Sequence, residues 1–152
     1  MPRQLGRKTQ MRKIFVSIFS LLIISFSLYA DGPHKRVLMD KEIEVPFSES
    51  KEFHFLIPEG KWKFRGEFKT SGGMNDDINF LAMNQENYVR WYSHYNFTPV
   101  VKFDRKMEGK FKFKAESGQT YYFVFDNFFS TVSNKKIKVK IKLIPEDQDD
   151  ED

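Results

Sequence analysis

Six oxygen-bearing side chains lie in two short stretches of the 152-residue sequence and could together bind a hard cation. They are Asn75, Asp76, Asp77 and Asn79 after a Gly-Gly turn, and Asp126 and Asn127 after an aromatic run. Calcium takes six to eight oxygen ligands, which loops meeting at one end of a β-domain can supply. Alternatively, these side chains cap turns by bonding to nearby backbone groups. We favour turn capping because the spacing is not that of an EF-hand; no metal or other cofactor is assigned, and calcium stays an alternative.

Lysines occupy every second position in two further segments and could bind anions. They are Lys136, Lys138, Lys140 and Lys142, and, separately, Lys110, Lys112 and Lys114. Alternation places each set on one face of a strand. If the two strands share a sheet, the resulting basic surface could attract anionic lipid headgroups, lipopolysaccharide, acidic glycans or an acidic part of the chain itself. The favoured alternative is an ordinary solvated face whose lysines discourage edge-to-edge pairing.

Aromatic side chains gather in the least regular segment, residues 88–99, where Trp91 and Tyr92 are followed by Tyr95 and Phe97. Exposed on a loop, these rings would contact a sugar or a protein. Packing against the edge of a core is the more common fate of such residues. Catalysis has little support, because the three histidines are scattered and no zinc-binding, nucleophile-elbow or phosphate-loop pattern occurs. We therefore expect that the protein is not an enzyme.

The elements that must position these residues are strands, since apolar residues recur with a period of two from residue 37 onward. The alternating segments are 42–45, 53–56, 62–68, 78–83, 101–103, 111–115, 121–125 and 137–143. Turn residues separate them at 58–60, 71–73, 108–109, 116–118 and 133–134. One helical turn is predicted over 85–92. About eight short strands at this spacing predict an all-β antiparallel sandwich.

The first 30 residues have the pattern of a secretory signal peptide. Arg12 and Lys13 precede the apolar run 14–28, and Ala30 stands before the polar residues that begin at 31. The run is shorter than the roughly 20 residues of a spanning helix. We expect cleavage after Ala30, with an uncleaved N-terminal anchor as the alternative. A chain that starts at Met11 has a more typical signal peptide than one that starts at Met1. This favours translation from Met11, without residues 1–10.

Loss of this segment changes the charge of the protein. The whole sequence has 25 Lys and Arg against 21 Asp and Glu, a net charge of +4; removal of five basic residues leaves 20 against 21, near −1. A nucleic-acid partner is therefore not expected. Six of the acids lie in residues 146–152, which we call the acidic tail and predict to be disordered. The domain between, residues 31–145, has no cysteine and must rely on its hydrophobic core.

Several phrases together resemble the GOLD domain, the luminal β-sandwich of the p24 (emp24/gp25L) family, and especially its stand-alone bacterial secreted relatives. They are FLIPEG at 55–60, GEFKTSGG at 66–73, NDDINF at 75–80, NYVRW at 87–91, GKFKF at 109–113, and YYFVFDNFFS at 121–130 followed by NKK at 134–136. The resemblance covers roughly residues 40–143. It implies a jelly-roll-like sandwich that contacts proteins or lipids without catalysis.

The sequence also departs from the eukaryotic p24 proteins, since it lacks their cysteine pair and has acids after Pro145 in place of their coiled coil. A role in coated-vesicle cargo reception is therefore not expected. The function expected is that of an exported, non-catalytic interaction module in the periplasm, at the cell surface or outside, binding a protein or an envelope lipid or glycan. Membrane contact would be peripheral or through an uncleaved N-terminal segment. A calcium-assisted carbohydrate- or lipid-binding domain and a small structural envelope protein are the alternatives.

Overall fold

Two antiparallel sheets of four strands each, and one short helix, make up the part of the chain that the structure describes, residues 34–72 and 75–148 of a computed structural model. The elements are β1 (Arg36–Val45), β2 (Ser50–Leu56), β3 (Trp62–Ser71), β4 (Ile78–Asn84), α1 (Gln85–Tyr92), β5 (Val101–Lys106), β6 (Glu108–Ala115), β7 (Thr120–Asp126) and β8 (Lys135–Pro145). The predicted signal peptide and the last four residues of the acidic tail lie outside the described residues.

The strands are arranged as a jelly roll. Sheet A has the order β1-β8-β3-β6, and sheet B has the order β2-β7-β4-β5. The chain crosses from one sheet to the other after every strand from β1 to β7 except β4, which is followed by β5 in the same sheet, as two interleaved Greek keys require. The predicted antiparallel, jelly-roll-like sandwich of about eight strands is confirmed.

Alternation along each strand decides which side chains enter the space between the sheets. In β8, Ile137, Val139 and Ile141 are buried, whereas Lys136 and Lys138 are exposed on the opposite face. The predicted segments all lie within observed strands, and α1 has the predicted bounds. The predicted turn at 108–109 is wrong, because both residues begin β6. Gly109 is needed there for close approach, since a Cβ atom would lie 2.6 Å from Cε1 of Phe68 on the paired strand.

The core between the sheets consists largely of phenylalanine rings. Phe64 and Phe80 from β3 and β4, and Phe123 and Phe125 from β7, are fully buried. Phe80 lies at the centre, with its ring centroid 5.0 Å from those of Phe111 and Phe125. Burying each such side chain contributes about 1.5–3 kcal/mol relative to leaving it in water. This core holds the domain without a disulfide.

Helix α1 lies on the outer side of sheet B. The Asn84 side chain caps its N-terminus by accepting from the Asn87 backbone N–H at 3.0 Å. The Asn87 side chain then accepts from the Thr98 N–H at 2.8 Å, which ties the following loop back to the helix. Within the described residues, no helix has the length and apolar character needed to cross a membrane.

Candidate functional site

The two oxygen-rich stretches meet at one end of sheet B, where β4 begins and β7 ends. Asn79 and Asp126 are register partners, and Nδ2 of Asn79 donates to Oδ2 of Asp126 at 3.3 Å. The other oxygen of Asp126 accepts from the Phe128 N–H at 2.7 Å, a typical Asx turn. Asp76, by contrast, lies in the connection before β4. The structure thus brings Asn79 and Asp126 into contact through turn-capping bonds.

Asp77 lies between two cations from distant parts of the chain. Its Oδ2 accepts from Nε of Arg105 at 2.5 Å, and its Oδ1 is 3.4 Å from Nζ of Lys135. The Lys135 side chain is 3% exposed and also donates to the backbone oxygen of Asn75. Burial by itself raises the pKa of Asp77, but the hydrogen bonds and charges of Arg105 and Lys135 outweigh it, so that this pKa lies below its usual value.

Asn127 joins two loops at the same end. Its Nδ2 donates to the backbone oxygens of Val45, Pro46 and Ser133 at 3.3, 3.0 and 2.9 Å. A fully buried amide with these partners fixes the loop after β1 against the loop before β8. Among residues 34–72 and 75–148, no group of three or more histidine, cysteine, aspartate or glutamate side chains could hold a metal ion. Calcium binding here stays a prediction.

Both lysine stripes lie on the outer face of sheet A, with β3 between them. Toward one end of this face the stripe on β8 is opposed by acids of β1: Lys136 faces Glu44, Lys138 faces Glu42, and Nζ of Lys140 is 3.1 Å from Oδ2 of Asp40. That half of the outer face of sheet A therefore carries both positive and negative side chains.

At the other end of the face, cations stand beside one another. Lys142, Arg65 and Lys112 are register neighbours across β8, β3 and β6, and Lys63 and Lys114 form the next pair along the strands. We call these five residues the basic corner. Burial, together with Lys35 and the charges of Lys140 and Arg65, lowers the pKa of Lys142. A cleft of about 490 Å³ lies along it, lined by Arg65, Lys112 and Lys142 among others.

The beginning of the acidic tail touches the basic corner. Glu146 pairs with Lys114, and this hydrogen bond is the main reason that the pKa of Glu146 is lowered. Nζ of Lys63 donates to the backbone oxygen of Gln148 at 2.6 Å, and the Lys63 side chain is almost wholly buried. The first residues of the acidic tail thus contact the basic corner.

A pocket of about 480 Å³ opens on the outer side of sheet B, which we call the aromatic pocket. It is lined by Ser50, Glu52, Trp91, Tyr92, His94 and Phe128. The rings come from α1, the loop after it and the loop after β7, whereas Ser50 and Glu52 come from β2. Tyr92 is 68% exposed and Phe128 is 56% exposed, so that large aromatic faces meet the solvent here.

A series of stacked rings holds the wall of the aromatic pocket. The Tyr88 ring lies 3.9 Å from that of Tyr122 at an interplanar angle of 6°, and 5.8 Å from the Trp91 ring. The Tyr88 hydroxyl donates to Oε2 of Glu52 at 2.8 Å, while the Ser50 hydroxyl donates to Oε1 at the same distance. Burial, followed by the bond to Glu52, raises the pKa of Tyr88 to about 12. The hydrogen bonds from Tyr88 and Ser50 thereby fix the position of the Glu52 side chain.

The structure divides the predicted aromatic cluster. Trp91 and Phe97 pack on a small core group, whereas Tyr92 and Tyr95 are exposed. Glu52 and Phe128 were missed by the sequence reasoning, although Phe128 follows the Asp126-Asn127 pair directly. Glu52 gives no signal in the sequence, because its role comes from the pairing of distant segments.

The jelly roll, with a preformed aromatic pocket on one sheet and a charged face on the other, defines a β-sandwich domain suited to binding through its surface. The chain belongs to the emp24/gp25L/p24 family/GOLD, whose family model matches residues 42–152. No curated protein matches the chain. Proteins of this family are cargo-binding or interaction modules and are generally not enzymes.

Proposed function

We propose that the protein is an exported, non-catalytic interaction module that takes a basic side chain of a partner protein into the aromatic pocket. The observation that carries this proposal is the Glu52 carboxylate, held by Tyr88 and Ser50 beside the rings of Trp91, Tyr92 and other pocket residues.

The chemistry of the pocket favours a cation on an apolar stem. Each oxygen of Glu52 accepts one hydrogen bond within the protein, and a carboxylate has further lone pairs for an incoming lysine or arginine. Aromatic faces attract a cation and cover its methylene groups. The exposed Phe47 and Val132, on the loops before β2 and β8, add apolar area at this end of sheet B. A partner segment with a basic residue next to an apolar one fits this surface.

Export of the module rests on the N-terminal pattern of basic and apolar residues, which is that of a secretory signal. The partner would then be a protein of the cell envelope or its surroundings. N-terminal sequencing of the protein from extracytoplasmic fractions tests this part. We expect a chain that begins after Ala30, whereas an intact N-terminus in the cytoplasmic fraction would refute export.

Photo-crosslinking in the producing cells tests the pocket. A photoreactive residue in place of Tyr92 should give a covalent adduct with one defined protein, and a second Glu52→Gln substitution should weaken that adduct. Glutamine keeps the size of the side chain and an acceptor for Tyr88 but removes the charge. The same photoreactive residue at Lys138, on the outer face of sheet A, is the control.

Two results would contradict the proposal. Adducts of equal yield from positions 92 and 138 would show that capture does not depend on the pocket. An adduct at position 92 that is unchanged by Glu52→Gln would show that the partner does not present a cation to the carboxylate.

A further inference from the structure

Strand β2 lies at the edge of sheet B, beside the aromatic pocket. Its seven residues pair with β7 on one side in an unbroken register, and the described residues place no strand on its other side. The edge strands β1 and β5 differ from it, because each has a register shift in its ladder. Proteins use such irregularities to prevent pairing at a sheet edge. The regular backbone of β2 is therefore suited to pairing with another strand.

The backbone groups of alternate residues in β2 point toward this open side. Just after the strand, the Ile57 N–H donates to the Gln119 backbone oxygen at 2.9 Å. The register continues from there along β2 without a shift, so the odd-numbered residues of the strand bond to β7. In an antiparallel ladder the residues between them direct both backbone groups the other way. The N–H and C=O groups of Glu52 and His54 therefore point away from β7, toward the open edge.

The inward side chains of β2 line a cleft along the same edge. Phe53 and Phe55 are half-buried, and together with Leu38 and Met39 of β1 they line a space of about 430 Å³ between the two sheets. The Lys41 ammonium lies 4.9 Å from the centroid of the Phe53 ring and covers part of it. An apolar side chain that enters this cleft would complete the burial of both phenylalanine rings, which favours its binding.

We propose that the partner of the aromatic pocket binds as an extended segment that adds to sheet B as an antiparallel strand beside β2. This inference rests on the proposed function and specifies the conformation and residue pattern of the partner. The residue opposite Glu52 in the new ladder lies on the outer face of sheet B, with its Cβ atom about 5 Å from that of Glu52. A lysine or arginine at that position pairs with the carboxylate. The residues before and after it point into the cleft, so the recognised pattern is apolar, basic, apolar.

Hydrogen exchange measured by NMR tests this strand addition on the chain that starts at Asp31, which contains both sheets and the whole core. The probe is a short synthetic peptide with the central sequence valine-lysine-valine. On binding, the backbone amides of Glu52 and His54 should exchange about tenfold more slowly or less, because they become bonded. The amides of Phe53 and Phe55, which already bond to β7, should change little and serve as the internal control.

Methylated peptides separate the ladder from the side chains. A methyl group on the backbone nitrogen of the lysine removes a bond to β2 but keeps the charge, and it should weaken binding about fivefold or more. A methyl group on the nitrogen of the following valine, which points away from β2, is the matched control and should leave binding nearly unchanged.

Substitution of His54 makes the same test from the protein side. Proline is tolerated in an edge strand where the N–H faces outward, so His54→Pro removes one edge donor without taking a bond from β7. It should weaken peptide binding about fivefold, whereas His54→Ala, which keeps the N–H, should weaken it much less. Melting temperatures show that both variants are folded, and the methylated peptides decide the question if the proline variant is not.

Strand addition and the proposed function can fail separately. Peptide binding that needs Glu52 but leaves exchange at Glu52 and His54 unchanged would overturn strand addition and retain the pocket. Protection of these amides that persists in the Glu52→Gln variant with equal affinity would support strand addition and contradict the cation in the pocket. Protection that appears without peptide and grows with protein concentration would assign the edge to a second copy of the chain. That result, or no binding at millimolar peptide, would overturn the inference.

Discussion

Replacing Asp77 by asparagine tests the ionic cluster at the end of sheet B. The substitution keeps the shape of the side chain but removes the negative charge between Arg105 and Lys135. Lys135 is the sensitive partner, because its side chain is 3% exposed and its charge cannot return to water. Arg105 is 48% exposed, and its guanidinium also stacks on the Phe129 ring at 3.7 Å.

The expected loss of stability follows from these exposures. Breaking a buried ion pair by removal of one partner costs about 3–5 kcal/mol, because the other charge is left uncompensated. The lower end applies here, since Arg105 is half in solvent and Lys135 retains its bond to the Asn75 carbonyl. We expect Asp77→Asn to lower the free energy of unfolding by about 3 kcal/mol. For a domain of this size the melting temperature should fall by roughly 12 °C.

The loss of stability caused by Asp77→Asn should depend on pH in a defined direction. The pKa of Asp77 is lower in the folded protein than in the unfolded chain, where an aspartate titrates at about 3.9. Its stabilisation is therefore complete above about pH 4 and is lost as the pH falls through the lower pKa of the folded state. The difference between the wild-type protein and the variant should be constant from neutral pH down to about pH 5 and should shrink in more acid solution.

Urea unfolding across this pH range measures both the loss of stability and its dependence on pH. The control is Asp104→Asn, which makes the same substitution in an exposed pair: Lys102 Nζ is 2.9 Å from Asp104 Oδ2, with 53% and 63% of the two side chains exposed. That variant should lose less than about 1 kcal/mol at any pH. The reasoning is wrong if the Asp77 variant matches this control, or if its deficit does not shrink in acid.

Four further outcomes are expected. Phe80→Ala, at the centre of the ring network, should cost about 3–5 kcal/mol in urea unfolding; a loss below 1 kcal/mol would contradict the packing. Gly66→Ala should destabilise by about 1–3 kcal/mol or more, because its Cβ would lie 2.3 Å from Cζ of Phe111; a neutral effect would refute the close approach. In an ultraviolet titration, the tyrosine that ionises near pH 12 should be missing from the Tyr88→Phe variant. The contribution of Tyr88 to stability should be present below pH 10 and lost as the pH rises to about 12. An unchanged titration near pH 12 would refute the bond to Glu52. Millimolar calcium or EDTA should leave the melting temperature unchanged, whereas a gain approaching the 2.7 kcal/mol expected at a hundredfold excess over Kd would favour a calcium site.

The fold was largely predictable because local pattern decides the type of each element. The period of two in β8 identifies its buried face without knowledge of its partners. What the pattern could not provide is which strands pair, since β8 lies between β1 and β3, both far from it in the sequence. The turn predicted at 108–109 failed for a related reason: Gly109 serves a cross-strand contact with Phe68 and not a change of direction.

The sites were only partly predictable, because they depend on register. The lysine stripe on β8 was visible in the sequence, but the acids that face its first half come from β1, about 100 residues earlier. Asp77 was identified as a candidate ligand, yet its cations Arg105 and Lys135 lie 28 and 58 residues away in the sequence. The hydrogen bond between Glu52 and Tyr88 likewise spans 36 residues and leaves no local pattern.

The position of β8 at the centre of sheet A has a consequence for when the protein can fold. Strand β1 is at the edge of sheet A and pairs with β8, which comes last of the eight, whereas β3 also pairs with the earlier strand β6. Contacts so distant in sequence form slowly, and none of those within the β1-β8-β3 layer can form until the ribosome has made the chain to Pro145. Strand β1 therefore stays without its partner strand until the end of synthesis of the domain. Sheet A is thus completed only by the last strand of the domain to be made.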